Sequence, residues 1–275
     1  MDPGEEPGIS TITKSDLKGR VLCFRVKYYQ MSLLDFIFPK RCVVCGEYGT
    51  YLCKKDKTEI KWAETFCPVC LKPSISGTTH PKCKKKLSLD GLICLFDYTR
   101  PIKQLTHQLK YRFVKDLVTV IESEIKKVKV LKEIDFHSYT LLPVPLSGSR
   151  KNWRGFNQAE ILGETAAKFL KIPYDSEILT KIKDTKPQAK LPRKERLTQL
   201  KGAFKARTDT VYGGYFLVFD DVWTTGATLK AAAAALKRKG AAKVWGLTLA
   251  TSHKMARLER FELSTSGSGG SRSIH

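Results

Sequence analysis

The sequence predicts an α/β protein, a parallel sheet flanked by helices, preceded by a small cysteine-rich domain that binds metal. Three observations lead there. From Asp90 onward, short apolar runs alternate with amphipathic helical segments, and strand–helix–strand alternation implies a parallel sheet covered on both faces. Six of the eight cysteines fall between Cys42 and Cys83, and in a reducing compartment such clustering signals metal rather than disulfides. The chain of 275 residues, 42% hydrophobic and 28% charged, is long enough for one large soluble domain and a small one.

Residues 1–30 show no clear periodicity and are expected to be disordered or a non-native extension. The stretch from Met1 to Ser15 is acidic and Gly/Pro-rich, without the basic and apolar regions of a signal peptide, so a cytoplasmic location is expected. Met31, opening the apolar Leu33–Phe38 segment, is expected to be the natural start. The cysteine-rich domain is placed at 31–89, the sheet domain at 90–254 and a disordered Ser/Gly-rich tail at 255–275. No apolar run reaches about 18 residues, so no membrane-spanning helix is expected.

Within the sheet domain, strands are predicted at 92–96, 139–144, 215–219 and 244–250. Helices are predicted at 102–113, 117–131, 157–170 and 228–239, with Gly240 where a C-terminal glycine belongs. Residues 181–205 carry nine Lys/Arg against two acidic residues and contain proline. They read as a basic loop with a helical portion rather than as core.

In the cysteine region, Cys42-x-x-Cys45 and Cys67-x-x-Cys70 have the spacing of metal knuckles, two thiolates aimed at one ion. Cys67, Cys70, His80 and Cys83 make a complete four-ligand zinc set. Cys42, Cys45, Cys53 and Asp56 make a second, in which a carboxylate suits a thiolate-rich structural site less well. Spacing also permits Cys42, Cys45, Cys67 and Cys70 around one ion, so the grouping stays open. So short and charged a segment would draw much of its stability from zinc. Isolated Cys23 and Cys94 read as small buried hydrophobes.

The chemistry is concentrated at Phe219-Asp220-Asp221-Val222-Trp223-Thr224-Thr225-Gly226-Ala227-Thr228. Leu217-Val218-Phe219 would pin a strand end at the carboxyl edge of the sheet, where ligands of open α/β sheets bind. Asp220 and Asp221 are two carboxylates suited to the two hydroxyls of a ribose diol. Thr224, Thr225, Gly226, Ala227 and Thr228 supply hydroxyls, a glycine and the free N–H groups of a helix start, which favour a phosphate. Helix capping alone could place Asp and Thr at such a junction. A nucleotide-hydrolase reading would need a Gly-x-x-x-x-Gly-Lys-Ser/Thr loop, and the sequence has none.

This element resembles the phosphoribosyl-pyrophosphate motif of type I phosphoribosyltransferases. With Leu142-Pro143-Val144-Pro145-Leu146, Arg154-Gly155-Phe156-Asn157-Gln158-Ala159, Asp184-Thr185-Lys186-Pro187-Gln188 and Lys201-Gly202-Ala203-Phe204 in order behind a cysteine region, the chain resembles the ComF family. The resemblance runs from about Leu33 to Thr251 and implies a type I phosphoribosyltransferase-like domain behind a zinc ribbon. It implies a pyrophosphate loop at Val144, Pro145 and Leu146, with Arg150 and Arg154 as basic neighbours. It also implies a mobile substrate loop carrying Gln188, Arg193 and Arg196, although a solvated basic loop would look the same. At Asp56 the family usually has cysteine, and Gln199 stands where asparagine is expected. The Arg154–Gln158 run is a family hallmark that plain helix initiation at Asn157 would also explain.

The ligand so implied is phosphoribosyl pyrophosphate with Mg²⁺. Asp220 and Asp221 would hold the ribose through an oxocarbenium-like transfer while Mg²⁺ and basic side chains stabilise the departing charge. No residue stands out as the base for an acceptor. The resemblance implies a link to DNA uptake in natural transformation. A formal charge of +22, with eleven Lys/Arg against four acidic residues at 40–86, suits single-stranded DNA and anionic ligands alike. A non-catalytic DNA-uptake module, partnered by DNA-uptake proteins, and a regulator sensing phosphoribosyl pyrophosphate are the competing functions.

Overall fold

The structure, a computed structural model, describes residues 10–15, 21–26, 39–111, 115–146, 155–183, 200, 202–207 and 211–253. The chain forms two compact units, 1–53 and 54–275.

In the first unit, β1 (Ser10–Ser15) and β2 (Val21–Val26) pair antiparallel, from Ser10↔Val26 to Ser15↔Val21. The sequence shows no periodicity over these residues. Two six-residue runs with β-branched residues are each too short to reveal a period but long enough to form a hairpin. Further on, the Cys42 knuckle is a tight turn. Gly46, at φ +80°, donates its N–H to the Cys42 carbonyl at 2.9 Å, and Cys42 N–H reaches the Glu47 carbonyl at 2.7 Å. A side chain would be strained at that φ.

The second unit opens with α1 (Lys54–Thr58), followed by two 3₁₀ turns, Ile75–Gly77 and Pro81–Cys83. Its centre is a four-stranded parallel sheet of β3 (Gly91–Asp97), β4 (Tyr139–Pro143), β7 (Tyr215–Trp223) and β8 (Lys243–Thr251), in the order β3-β8-β7-β4. Ile93, Leu141, Leu142, Leu217, Val218, Phe219, Leu247 and Leu249 are all buried, the continuous apolar pattern of strands covered on both sides. One face is covered by α5 (Gln158–Leu170), which comes so close at Gly163 that an added Cβ would stand 3.1 Å from Leu141 and 3.6 Å from Phe219. On the other face Leu142, Val218 and Leu92 pack with Leu229, Ala232, Ala233 and Leu236 of α6 (Ala227–Arg238). The fold is the helix-flanked parallel sheet expected of a type I phosphoribosyltransferase-like domain.

Both sheet edges are closed by backbone. At β3, Ala63 N–H donates to the Leu95 carbonyl (3.2 Å), Asp97 N–H to Lys61 (2.9 Å), and Thr79 N–H to Asp90 (2.9 Å). At β4, Leu141 exchanges bonds with Pro173 (2.8 Å) and Asp175 (3.0 Å).

Several elements depart from expectation. The predicted helix at 117–131 is two, α3 (Lys115–Ile125) and α4 (Val130–Glu133), because α3 tightens into i,i+3 bonds at Lys127 and Val128. Before them lies α2 (Arg100–Tyr111). The ends of the basic segment pair as a hairpin, β5 (Leu179–Lys181) against β6 (Phe204–Ala206). The strand expected to end at Phe219 runs on to Trp223, because β8 continues to pair with it through Trp223↔Thr251.

Candidate functional site

The site grows out of an unequal end to β7. On the β4 side the ladder stops at Pro143↔Phe219, and Val144 N–H then closes onto the Phe219 carbonyl at 2.8 Å. On the β8 side it runs four residues further. Residues 220–223 therefore remain in strand register with one flank past the end of β4. Successive residues of a strand point to opposite faces, which separates the two carboxylates that the sequence places side by side. Asp220 lines a small concavity together with Val222, Thr224, Gly226, Thr228 and Thr248, whereas Asp221 does not line it. Each carboxylate is oriented by the amide that follows. Asp220 Oδ1 accepts from Asp221 N–H at 2.9 Å, and Asp221 Oδ1 from Val222 N–H at 2.7 Å.

Beyond Trp223 the chain bends through Thr224 and Thr225 into α6. Gly226 is the N-cap at φ +71°, and it lies flat on the Trp223 ring. A Cβ there would fall 2.1 Å from an indole carbon, so glycine is required by both backbone and space. Thr225 Oγ1 accepts from Ala227 N–H at 3.3 Å, and Lys230 Nζ donates to the Thr225 carbonyl at 3.5 Å while sitting 5.3 Å over the Trp223 ring. The bend thus gathers hydroxyls, the N-terminus of a twelve-residue helix and a lysine, an arrangement that favours an anion. Sequence reasoning misses Lys230. Its only signal is a cation in the first turn of a helix, where dipole considerations disfavour it.

Val144, Pro145 and Leu146 follow β4 at the same carboxyl edge. Arg150, Arg154, Gln188, Arg193, Arg196 and Gln199 lie outside the described residues. The Asn157–Gln158 pair now has a physical role. Asn157 caps α5, its Oδ1 accepting from Ala159 N–H at 3.0 Å, while its Nδ2 donates to the Val144 carbonyl at 3.1 Å and to Glu160 at 3.3 Å. Gln158 Nε2 reaches the Leu109 carbonyl at 3.5 Å. One buried amide therefore holds the segment after β4 to the start of α5.

In the cysteine region, the ligand atoms of Cys67, Cys70, His80 and Cys83 lie within 4.8 Å of one another. Cys70 Sγ is 3.3 Å from His80 Nδ1, and His80 Nε2 is 3.0 Å from the Pro73 carbonyl. A carbonyl only accepts, so Nε2 carries the proton and Nδ1 is left with its lone pair toward the sulfurs. Burial raises the Cys67 thiol, but the amides of Cys70, His80 and Val69 outweigh it and lower its pKa overall. Cys83 is pushed up to about 11 by burial and then by its neighbours Cys70 and Cys67. Crowded thiols of this kind fit a cation such as zinc, which takes thiolate and imidazole ligands tetrahedrally. In the first unit Cys42, Cys45 and Cys53 also bring their sulfurs within 4.8 Å, with Cys45 and Cys53 3.7 Å apart. Asp56 is buried on α1 of the second unit.

Comparison with known proteins agrees with this architecture. Residues 33–94 match the double zinc ribbon domain family. The chain is 30% identical over 229 residues to the DNA utilization protein YhgH of Escherichia coli (strain K12), covering 76% of this chain and 96% of that protein. It is 28% identical to competence protein F of Haemophilus influenzae over 215 residues, 75% of this chain and 84% of that protein. Against competence protein ComFC of Bacillus subtilis it is 29% identical over 195 residues, 67% and 77% of the two chains. Among solved structures, adenine phosphoribosyltransferase from Leishmania tarentolae matches at 10% identity and a TM-score of 0.33, covering 72% of this chain and 88% of that one. The Bacillus subtilis glutamine phosphoribosylpyrophosphate amidotransferase matches at 17% identity and a TM-score of 0.33, over 48% of this chain and 26% of that one. Sheet and ribbon together define a protein with a helix-flanked parallel sheet behind an N-terminal double zinc ribbon. The chain belongs to the ComF family.

Proposed function

We propose that the carboxyl edge of the sheet binds phosphoribosyl pyrophosphate with Mg²⁺, and that the protein serves DNA uptake or utilization. The observation that carries the first part is the convergence of Asp220, the Thr224–Thr228 bend and the start of α6 on one concavity. Asp220 would take a ribose hydroxyl, the bend and α6 the 5-phosphate, and the Val144–Leu146 segment the pyrophosphate with its Mg²⁺. Asp221, oriented toward the other face, would act from there on the second hydroxyl or the metal. Arg150 and Arg154, and Gln188, Arg193 and Arg196 of the basic segment, would counter the anionic charge.

Calorimetry with phosphoribosyl pyrophosphate and Mg²⁺ tests this reading. Binding by the wild type and its loss in the Asp220→Ala, Asp221→Ala double variant are expected. No heat from the wild type, or equal heat from the variant, sinks the site. Pyrophosphate release in the presence of candidate acceptors then separates a transferase from a sensor.

The second part rests on the competence and DNA utilization for which the relatives are named and on the basic ribbon. Trp62 is 45% exposed beside Lys61 and stacks on Phe96 at 5.4 Å, a surface suited to an unstacked base. Single-stranded DNA affinity that falls steeply with salt is expected, and salt-independent binding would rule out the phosphate contacts. We also propose that both ligand sets hold zinc.

A further inference from the structure

The second zinc-ligand set and the anion-binding bend share a buried aromatic link. Phe66 immediately precedes Cys67, the first ligand of its set. The knuckle that follows closes with Leu71 N–H on the Cys67 carbonyl and Cys67 N–H on the Lys72 carbonyl, both at 2.9 Å, with Leu71 at φ +63°. Closing the knuckle therefore fixes the backbone of Phe66. Phe66 is 2% exposed and its ring centroid lies 6.2 Å from that of Trp223, itself 1% exposed. Trp223 is the floor beneath Gly226, whose missing side chain is replaced by that ring. A shift of Phe66 is thereby passed to Trp223 and to the N-cap of α6.

A second connection runs in parallel. His253, two residues past β8, points Nε2 at the Leu71 carbonyl at 3.2 Å and stacks edge-on against Phe66 at 4.8 Å. Its neighbour Ser252 donates its N–H to the Trp223 carbonyl at 3.0 Å. The knuckle is thus held at Phe66 and Leu71 by the segment that follows β8, which is itself bonded to the end of β7. Close-packed interiors transmit such displacements rather than absorbing them.

We infer that Phe66 and His253 are positioning residues, through which metal occupancy of the Cys67–Cys70–His80–Cys83 set controls the geometry of the Thr224–Thr228 bend and hence its affinity for a sugar phosphate. This rests on the ribose-phosphate reading of that bend. Neither residue lines the concavity at the bend. A misplacement of the order of 1 Å at a binding bend can cost up to about a hundredfold, and about tenfold is expected from a loosened floor.

The test is a coupling cycle on the full chain, with ribose 5-phosphate as probe so that no Mg²⁺ is needed when zinc is chelated. Binding is measured by calorimetry, zinc by metal analysis and folding by circular dichroism. Zinc-loaded Phe66→Leu and His253→Ala are each expected to keep their zinc and to bind about tenfold more weakly than wild type. Removing zinc from wild type is expected to weaken binding similarly, and removing it from Phe66→Leu to add little, because the link is already cut. Variants that bind within twofold of wild type, or losses that simply multiply, overturn the inference. If Phe66→Leu or the zinc-free protein unfolds, the affinity of zinc-loaded His253→Ala, whose side chain is partly exposed, decides by itself. No binding by wild type overturns the site reading and this inference with it; wild-type binding with unaffected variants overturns this inference only.

Discussion

Asn157 shows how much a single side chain can hold. Its amide spans an N-cap and a carbonyl thirteen residues upstream, so Asn157→Ala removes a cap and leaves the Val144 carbonyl buried without that donor. A loss of about 2 kcal/mol in denaturant unfolding is expected. Asn157→Asp should keep the cap, lose the donor and lie between. Gly226→Ala should weaken sugar-phosphate binding more than it lowers stability, since the ring beneath and the positive φ both have to yield. Cys94 is a pH reporter. Burial, opposed by bonds from Thr248 and Thr251 and reinforced by Asp97, pushes its thiol up to about 12 from an ordinary 9.0. A raised acid pKa favours the protonated native form, so its stabilising contribution is complete below pH 9 and is lost as pH climbs toward 12. Cys94→Ala should show a shallower fall in melting temperature across that window than wild type. The Asp-Asp, Thr-Thr-Gly and Cys-x-x-Cys patterns could be seen in the sequence because their chemistry depends on local spacing. The roles of Asn157, Lys230 and Phe66 could not, because each depends on a partner brought near only by the fold.

At the level of elements, the four sheet strands and the helices at 100–111, 158–170 and 227–238 were legible to within a few residues, since continuous apolar runs and helical spacing are strong local signals. The β5–β6 hairpin was not. Its three-residue strands carry no period, and Leu179 pairs with Ala206 across a long basic segment. The length of β7 was also hidden, because Asp220 and Asp221 read as the end of an apolar run while the ladder to β8 continues under them. The two ligand sets should differ in metal retention. A carboxylate in place of a thiolate weakens a sulfur-rich site, so graded chelation is expected to release one zinc well before the other. Equal release from both sets in the wild type would overturn that difference.

Across the whole of the second unit, one carboxylate joins three parts of the chain. Asp90, 8% exposed, accepts from Val244 N–H at 2.8 Å and pairs with Lys237 Nζ at 2.7 Å and Lys84 Nζ at 3.3 Å. Lys237, only 10% exposed, also reaches the Ala242 carbonyl at 2.7 Å. Lys237→Met should destabilise the unit by about 3 kcal/mol in denaturant unfolding, since it strands a buried charge. The formal charge of +22 was legible at once, but this pairing was not, because Asp90 and Lys237 are far apart in the chain and meet only in the folded unit. The closure of β3 by Lys61, Ala63 and Thr79 has a consequence for solubility. Those backbone groups belong to the stretch that zinc keeps in shape, and a bare strand edge is a template for a second chain. Protein stripped of zinc should therefore self-associate through β3 as its concentration rises, seen as growing light scattering that re-addition of zinc prevents. A ComF chain short of metal would then be removed from solution.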